Sequence, residues 1–300
     1  MQKTFKIGID LGGTKTEVIL LDPENQILLR ERIPTQKETY EQILDGIKFL
    51  IDKAKYILHT NYKNPDFTIG IGIPGIVDQI TEKVINANTT ILIGNPLKKD
   101  LEKLLDHPVI IENDANCFAL AESIAGIAKD YQNVFGIIMG TGCGGGLIIN
   151  KKIYKGMHGI AGEWGHFSID PNGPLCWCGN RGCIETFISG SGIENQYFKK
   201  TGEYLKVPEI LQNAKNNKEP AKTIFDEFLE NFGRAVGGII SVFDPEVIVI
   251  GGGLSNIEEL YTIGYEKVKR YAFYHNIRTP LLKNQLGDSA GVIGAALLGI

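Results

Sequence analysis

The feature that most limits how this 300-residue chain can fold is a pattern that occurs twice. Residues 6–21 and 135–149 each read as an apolar strand, a glycine-rich turn and a second apolar strand. Laid over one another without a gap, Gly8 meets Gly136 and Gly12 meets Gly140. Apolar, β-branched runs bounded by glycines are typical of strands. The repeat therefore predicts two related α/β domains.

The first glycine turn resembles a phosphate-binding P-loop only in part. A turn of this kind can direct several backbone N–H groups towards a phosphate. Gly8 and Gly13 have the P-loop spacing, but Thr14 intervenes before Lys15 and a strand follows where a P-loop continues as a helix. The G-x-G-x-x-G of residues 140–145 is a weak dinucleotide signal for the same reason. We exclude both motifs and expect the two domains to face each other across a nucleotide.

A third glycine run follows the predicted strand 246–250. Gly251, Gly252 and Gly253 are expected to open a helix near Asn256. A helix N-terminus placed after a strand suits an anion or the edge of an adenosine.

The remaining elements form an alternating α/β pattern. Apolar spacing predicts helices over 40–61, 97–105, 115–128 and 220–243, strands over 67–73 and 108–111, and a closing helix over 288–300. Glu112, Asn113 and Asp114 fall where a strand ends and a helix begins, a place where open α/β sheets position ligands and catalysts. From the residues alone, Asp114 fits a helix cap equally well.

A cluster of cysteines predicts a metal site. Cys176, Cys178 and Cys183 lie within eight residues of one another, and His166 lies ten residues before the first of them. Three thiolates and one imidazole suit a closed, structural tetrahedral Zn²⁺ site. Gly179 and Gly182 supply the backbone freedom that such a loop needs. Buried structural cysteines are the alternative, but those usually lie singly in apolar runs.

Two carboxylates flank this cluster. Glu163 precedes His166 by three residues, and Glu185 follows Cys183 by two. A metal that joins His166 to Cys183 would bring the two carboxylates together, where they could accept the vicinal hydroxyls of a sugar. Solvated surface glutamates are the ordinary alternative. The polar loop 86–90 could offer further hydroxyls and amides, or be a plain turn.

Composition excludes several classes of protein. With 43% hydrophobic residues the chain can bury two ordinary domains, and its net charge of −4 without a basic block argues against nucleic-acid binding. Its apolar runs are too short to cross a bilayer. The first strand starts near residue 5, so we expect no signal peptide. An odd count of five cysteines, three of them at metal-ligand spacing, fits a reducing cytoplasm better than a disulfide framework.

Residues 162–166 and 176–185, Gly-Glu-Trp-Gly-His and Cys-Trp-Cys-Gly-Asn-Arg-Gly-Cys-Ile-Glu, resemble the signature of the ROK family of bacterial sugar kinases and related repressors. The resemblance extends over essentially the whole chain and is strongest to the fructokinase/mannokinase branch. It implies an actin-like, ribonuclease-H-type ATPase fold with two domains around a nucleotide cleft. We expect a small N-terminal domain over 1–115, completed by a C-terminal helix over 288–300. A larger domain over 116–287 would carry the zinc loop.

The resemblance also implies an activity, transfer of the ATP γ-phosphoryl group to a hexose hydroxyl, here the 6-position of fructose or mannose. Asp114 would be the general base. Sugar ligands would be Gly75, Asn88, Asn113, Glu163, His166 and Glu185. Phosphate and nucleotide contacts would come from Gly12, Gly13, Thr14, Lys15, Gly140, Thr141, Gly142, Gly252 and Gly253. Asp10 would help to place Mg²⁺ through water, and one nitrogen of His166 would bind Zn²⁺ while the other faces the sugar.

Other members of the family give the alternatives. An N-acetylglucosamine kinase or a glucokinase is the main alternative, and a non-catalytic sugar sensor is a weaker one. The repressors carry a helix-turn-helix domain in front of this core, which a strand starting near residue 5 argues against. The expected partners are a hexose and MgATP, with a homodimer implied by the resemblance.

Overall fold

The chain is described by a computed structural model that covers residues 4–87 and 89–299. Its strands are β1 (Thr4–Leu11), β2 (Lys15–Leu21), β3 (Ile27–Pro34), β4 (Asp66–Ile73), β5 (Ile76–Val77), β6 (Val84–Ile85), β7 (Ile110–Asn113), β8 (Val134–Met139), β9 (Cys143–Ile149), β10 (Lys152–Ile153), β11 (Val247–Gly251) and β12 (Leu281–Lys283). Its α-helices are α1 (Tyr40–Asn61), α2 (Leu97–Leu105), α3 (Asp114–Ile124), α4 (Glu185–Ile188), α5 (Gly190–Thr201), α6 (Val207–Lys215), α7 (Ala221–Phe243), α8 (Ile263–Tyr271) and α9 (Ala290–Ala296).

The chain divides into two compact units. The first contains the residues up to Gly126, the segment Lys152–Ala161 and the residues from Leu286 onwards. The second contains Ile127–Lys151 and Gly162–Gln285. The domain boundary expected at residue 115 falls inside α3, which lies wholly in the first unit.

The first unit is built on a sheet with the strand order β3-β2-β1-β4-β7. β1 pairs antiparallel with β2 across the first glycine turn and parallel with β4 on its other side. Ile7 and Ile9 of β1 and Ile71 of β4 are fully buried, as expected for central strands that are covered on both faces. The register places Asp10 opposite Glu17 on one side and Gly72 on the other.

The helices of the first unit begin where the apolar pattern predicts them. Thr39 caps α1 and forms a reciprocal capping box with Gln42, which satisfies backbone N–H groups that the first turn leaves without partners. Ile47 and Leu50 of α1 are buried in the core of the sheet. α9 packs against α3 and β1, so the end of the chain completes this unit.

The second unit repeats the same strand order. β8 pairs antiparallel with β9 across the second glycine turn and parallel with β11, which in turn pairs parallel with β12. The order β9-β8-β11-β12 therefore matches β2-β1-β4-β7 of the first unit. α7 supplies Phe228 and Phe232 to a core that also contains Ile137 of β8 and Ile250 of β11. The predicted duplication of a strand–glycine turn–strand unit is confirmed.

One predicted helix is wrong. The glycine run after β11 leads into a short 3₁₀ turn, Gly253–Asn256, and the next α-helix begins only at Ile263. The Ser255 hydroxyl donates to the Gly252 carbonyl oxygen at 2.7 Å, and the Asn256 amide donates to the Gly253 carbonyl oxygen at 3.1 Å. These local bonds compete with helix propagation.

Across the part of the chain that the structure describes, none of the helices combines the length and the apolar character that crossing a membrane requires.

Candidate functional site

The four predicted metal ligands meet in the second unit. The ligand atoms of His166, Cys176, Cys178 and Cys183 all lie within 4.8 Å of one another. Cys176 Sγ is 3.7 Å from His166 Nδ1, and Cys178 Sγ is 3.6 Å from Cys183 Sγ. A tetrahedral zinc with Zn–S bonds of about 2.3 Å separates its sulfur ligands by about 3.8 Å. The side chains thus fit Zn²⁺ as they stand.

Backbone hydrogen bonds hold the cysteine loop in this shape. The Cys176 N–H donates to the Asn180 carbonyl oxygen at 2.8 Å, and the Gly182 N–H donates to the Pro174 carbonyl oxygen at 2.8 Å. Gly179 and Gly182 have φ values of 93° and 66°, a left-handed conformation that glycine adopts without strain. The predicted glycine requirement of the loop is therefore met.

The local environment shifts the pKa values of the three thiols in different directions. Burial raises the pKa of Cys183 to about 12, and burial also raises the pKa of Cys176. The pKa of Cys178 is lowered, because hydrogen bonds from Asn180 and the neighbouring thiols outweigh the cost of burial. Three thiols that cannot all ionise on their own bind a metal by releasing protons to solvent.

His166 and Glu163 lie on one short turn that a buried indole holds in place. Residues Trp164–His166 form a 3₁₀ turn, and the Trp164 indole donates to the Gly144 carbonyl oxygen of β9 at 3.0 Å. With Nδ1 of His166 towards Cys176, Nε2 lies 4.0 Å from a carboxylate oxygen of Glu163. Burial raises the pKa of the Glu163 carboxyl, Glu185 adds to that rise and His166 opposes it.

Glu185 makes two hydrogen bonds within the second unit. Its Oε1 accepts the Trp177 indole N–H at 2.7 Å, and its Oε2 accepts the Cys143 backbone N–H at 2.9 Å. Cys143 directly follows the second glycine turn. A Cβ atom placed on Gly142 would lie 2.7 Å from Oε2, so glycine is needed there for the carboxylate to approach.

The predicted general base, Asp114, and the predicted sugar ligand Asn113 lie at the junction of β7 and α3 in the first unit. Asn113 is the N-cap of α3, and its side-chain oxygen accepts the Ala115 N–H at 2.9 Å. Asp114 is the first helical residue, where the helix dipole favours a negative charge. One Asp114 oxygen accepts the Ala115 N–H at 2.8 Å. Asn113 thus takes the cap position that the sequence left open for Asp114.

Asn113 also connects this junction to Gly75. The Asn113 amide donates to the Gly75 carbonyl oxygen at 3.3 Å. A Cβ on Gly75 would lie 2.8 Å from the Ala87 Cβ, so the position has no room for a side chain. Asn113 borders a cavity of about 400 Å³ that Val77 and Lys155 also line, within the size range of small-molecule sites. Asn88, another predicted sugar ligand, lies outside the described residues.

Hydrogen bonds to the carbonyl oxygens of the first glycine turn hold its conformation. The Gly12 N–H donates to the Lys15 carbonyl oxygen at 3.0 Å and closes the turn, so it is not directed at a ligand. The Thr35 hydroxyl donates to the Gly12 carbonyl oxygen at 2.8 Å, and the Lys37 ammonium donates to the Gly13 carbonyl oxygen at 2.7 Å. Thr14 and Lys15 are exposed at the tip.

The second turn is also closed by its first glycine and held at its carbonyl groups, but the closing bond spans one residue fewer. The Gly140 N–H donates to the Gly142 carbonyl oxygen at 3.0 Å. The Gly190 N–H donates to the Gly140 carbonyl oxygen at 2.7 Å, and the Ser191 hydroxyl donates to the Thr141 carbonyl oxygen at 2.7 Å. In both units, hydrogen bonds to the carbonyl groups hold the glycine turn in one conformation.

Asp10 is a partly buried carboxyl at the end of β1. Burial raises its pKa to about 6, the neighbouring Glu17 adds to the rise, and Arg32 opposes it. Gly291 of α9 lies so close that a Cβ there would be 2.8 Å from an Asp10 oxygen. Burial and Glu17 disfavour the ionised form of Asp10, and a nearby cation would stabilise it. This is consistent with the predicted role of Asp10 towards Mg²⁺.

The raised pKa of Asp10 predicts a pH-dependent stability. Because the folded state holds the proton more tightly than the unfolded chain, Asp10 contributes most below pH 3.8, and this contribution is lost as pH rises through about 6. Asp10→Asn should therefore unfold at a higher temperature than the unmodified protein at pH 7.5, with a smaller gap at pH 5. The gap corresponds to at most on the order of 3 kcal/mol.

The measurement is thermal unfolding without nucleotide or Mg²⁺. Asp45→Asn, at an exposed position of α1, serves as the control and should show no such gap. A stability difference between Asp10→Asn and the unmodified protein that is equal at both pH values would contradict the argument.

Sequence reasoning missed the residues that support the site. Glu112 accepts the Asn113 N–H at 2.9 Å and the Asn116 side-chain amide at 3.0 Å, and it forms an ion pair of 2.7 Å with Lys155. The sequence indicated only that Glu112 ends a strand; helical spacing to Asn116 does not apply, because Glu112 lies on β7 and Asn116 on α3. Thr35 and Trp177 carried no comparable signal, since their partners are distant in sequence or defined by the loop.

The sequence is similar to one protein family and to several enzymes of known activity. The ROK family model matches residues 6–300. An N-acetyl-D-glucosamine kinase of Vibrio atlanticus is 37% identical over 303 residues, covering 98% of this chain and 99% of that protein. One from Haemophilus influenzae is 38% identical over 307 residues, covering 97% and 98%. These relatives do not confirm the fructokinase/mannokinase branch; they match the alternative stated from the sequence.

Solved structures of similar fold cover almost the whole chain. A ROK hexokinase from Thermus thermophilus has a TM-score of 0.89 at 28% identity, covering 98% of this chain and 97% of that one. A ROK family glucokinase from Streptomyces griseus, solved with glucose and AMPPNP, has a TM-score of 0.78 at 31% identity, covering 98% of both. The chain therefore belongs to the ROK family and has its two-domain, actin-like α/β fold.

Proposed function

We propose that this protein transfers the γ-phosphoryl group of ATP to the 6-hydroxyl of N-acetylglucosamine. The sugar oxygen forms a bond to the γ-phosphorus, the bond to the ADP leaving oxygen breaks, and the hydroxyl proton passes to a carboxylate. Such a reaction depends mainly on positioning and on charge stabilisation.

The observation that carries the proposal is the full-length similarity to N-acetyl-D-glucosamine kinases at 37% and 38% identity. A second line of support is the solved family member that binds glucose and AMPPNP. The similar hexokinase and glucokinase structures support a sugar phosphorylation on this fold, and the N-acetyl-D-glucosamine kinases among the relatives favour the acetamido sugar.

Asp114 is the proposed general base. Its support is its position directly after β7, where the helix dipole of α3 favours the carboxylate form. Asn113, the residue before Asp114, is held by its hydrogen bond to the Gly75 carbonyl oxygen. We propose that the sugar hydroxyls are held by Asn113, Glu163, His166 and Glu185, with Gly75 and Asn88 beside them.

The phosphates of ATP are the proposed ligands of the two glycine turns. In the first unit Gly13, Thr14 and Lys15 remain as contacts, with Gly12 shaping the turn through its own N–H. In the second unit Thr141 and Gly142 have this role, and Gly140 shapes the turn. Gly252 and Gly253 are proposed to border the nucleotide, without the helix N-terminus expected from the sequence.

Two cations belong to the proposal. Zn²⁺ would be held by His166, Cys176, Cys178 and Cys183 and would supply no chemistry, because a closed site keeps no open coordination position. It would fix which nitrogen of His166 is available to the sugar. Mg²⁺ would arrive with ATP and neutralise charge on its phosphates, with Asp10 as the nearby protein carboxylate.

A substrate panel tests the choice of sugar. We expect kcat/KM for N-acetylglucosamine to exceed that for fructose, mannose and glucose by at least roughly tenfold, about 1.4 kcal/mol of transition-state binding. The physical reason is that a site built to hydrogen-bond an acetamido group leaves its polar groups unpaired when the group is missing.

The panel is measured by coupled ADP release at saturating MgATP. Fructose or mannose as the best substrate would restore the branch first expected from the sequence and reject N-acetylglucosamine. No phosphorylation of any of the four would reject the hexose kinase activity itself. The homodimer implied by the resemblance stays a prediction, which sedimentation equilibrium of the purified protein tests.

A further inference from the structure

We propose that Trp177 is a positioning residue that orients Glu185 towards the sugar and keeps it tied to the second glycine turn. The inference rests on the proposed function, since it gives Glu185 the role of a sugar ligand. It gives a role to Trp177, to which the sequence analysis and the metal site assign none.

The Glu185 carboxylate is oriented by one protein donor on each oxygen. The Trp177 indole N–H bonds to Oε1 at 2.7 Å, and the Cys143 backbone N–H bonds to Oε2 at 2.9 Å. A carboxylate oxygen has two acceptor directions. Each oxygen of Glu185 can therefore accept a sugar hydroxyl while it keeps its protein donor, and its geometry is set before the sugar binds.

Trp177 is held by the metal loop instead of by burial. Its side chain is 66% exposed, although tryptophan side chains are on average largely buried. The residue lies between Cys176 and Cys178, so two metal ligands fix its backbone on both sides. Its ring meets the His166 ring edge to face, with centroids 4.8 Å apart at 87°. One side chain thus contacts two of the proposed sugar ligands.

These contacts form a continuous connection within the second unit. It runs from the metal ligands to the Trp177 indole, then through Glu185 to Cys143 and the turn Gly140–Gly142. Without the indole N–H, Glu185 loses a charge-assisted bond and gains freedom to rotate. A sugar must then orient the carboxylate as it binds, which lowers affinity.

Two substitutions test the role of the N–H. Trp177→Phe removes it together with part of the ring, and replacement of Trp177 by 3-benzothienylalanine exchanges only the N–H for sulfur at nearly the same shape. For both, we expect the KM and the Kd of N-acetylglucosamine to rise about tenfold, the low end for losing a hydrogen bond to a charged group. The kcat at saturating sugar should stay within about threefold.

The matched control is Leu175→Ala, which shortens another exposed side chain of the same loop, 65% exposed and next to Cys176. It should retain the sugar affinity of the unmodified protein. Zinc content, measured for every variant, should be unchanged, which separates the loss of the N–H from loss of the metal loop.

The outcomes distinguish the two proposals. Unchanged or tighter sugar binding in the benzothienylalanine variant, with an unmodified protein that phosphorylates N-acetylglucosamine, rejects the role of Trp177 alone. An unmodified protein that phosphorylates no hexose rejects the proposed function and the inference with it. Weaker sugar binding in Leu175→Ala to the same extent would also reject a specific role for the indole.

Discussion

Asp114→Asn is expected to lower kcat by about 10²- to 10⁴-fold, the contribution that a general base usually makes. Asparagine has nearly the same shape, and its side-chain oxygen can still accept the Ala115 N–H that Asp114 accepts at 2.8 Å. The helix start is also kept by the Asn113 cap. The amide cannot take up the hydroxyl proton, so the loss should fall on the chemical step while sugar binding is preserved.

Steady-state kinetics and the sugar Kd from calorimetry measure this together. Asp45→Asn is the control, because it makes the same chemical change on an exposed part of α1. A kcat within threefold of the unmodified protein would remove Asp114 from the role of general base. A large rise in the sugar Kd without loss of kcat would make it a binding residue instead.

Cys178→Ser should remove the metal and reduce kcat/KM at least about 100-fold, since loss of supporting contacts at a metal site alone costs 10- to 100-fold. The purified protein should contain about one zinc per chain. The loop that this metal fixes carries His166 and Trp177 and precedes Glu185, so the loss should reach every proposed sugar contact on it. Metal binding and loop folding are coupled in such sites.

Zinc content by elemental analysis and activity are measured on the same samples. Cys117→Ala is the control, because Cys117 is a buried thiol of α3 outside the cluster and its loss should leave zinc content unchanged. Full activity in a sample shown to be free of zinc would contradict the structural role of the metal. This result would not depend on the other proposals.

Local pattern predicted the elements whose residues determine their own conformation. The helix expected over 40–61 is α1, Tyr40–Asn61, and the one expected over 97–105 is α2, Leu97–Leu105. Apolar spacing and a capping threonine act within one or two turns, so they can be read along the chain. Boundaries were less certain: the helix expected to end near 128 ends at Ile124.

The helix expected near Asn256 shows where local reading fails. A strand followed by glycines is common to a helix start and to a tight turn. Ser255 and Asn256 bond back to the carbonyl groups of the glycine run and leave a 3₁₀ turn. Hydroxyl and amide side chains decided between two conformations that the strand–glycine pattern alone does not distinguish.

The metal ligands and the duplicated strand–turn–strand unit were determined by the sequence itself, because both depend on spacing over short stretches. The bond between Glu185 and Cys143 was decided only by tertiary structure: the two residues are 42 positions apart, and the bonds from Gly190 and Ser191 to the second glycine turn hold their segments together. The bond from Thr35 to Gly12 likewise depends on the pairing of β2 with β3. Hydrogen bonds between distant segments depend on how strands pack, and no local periodicity encodes that packing.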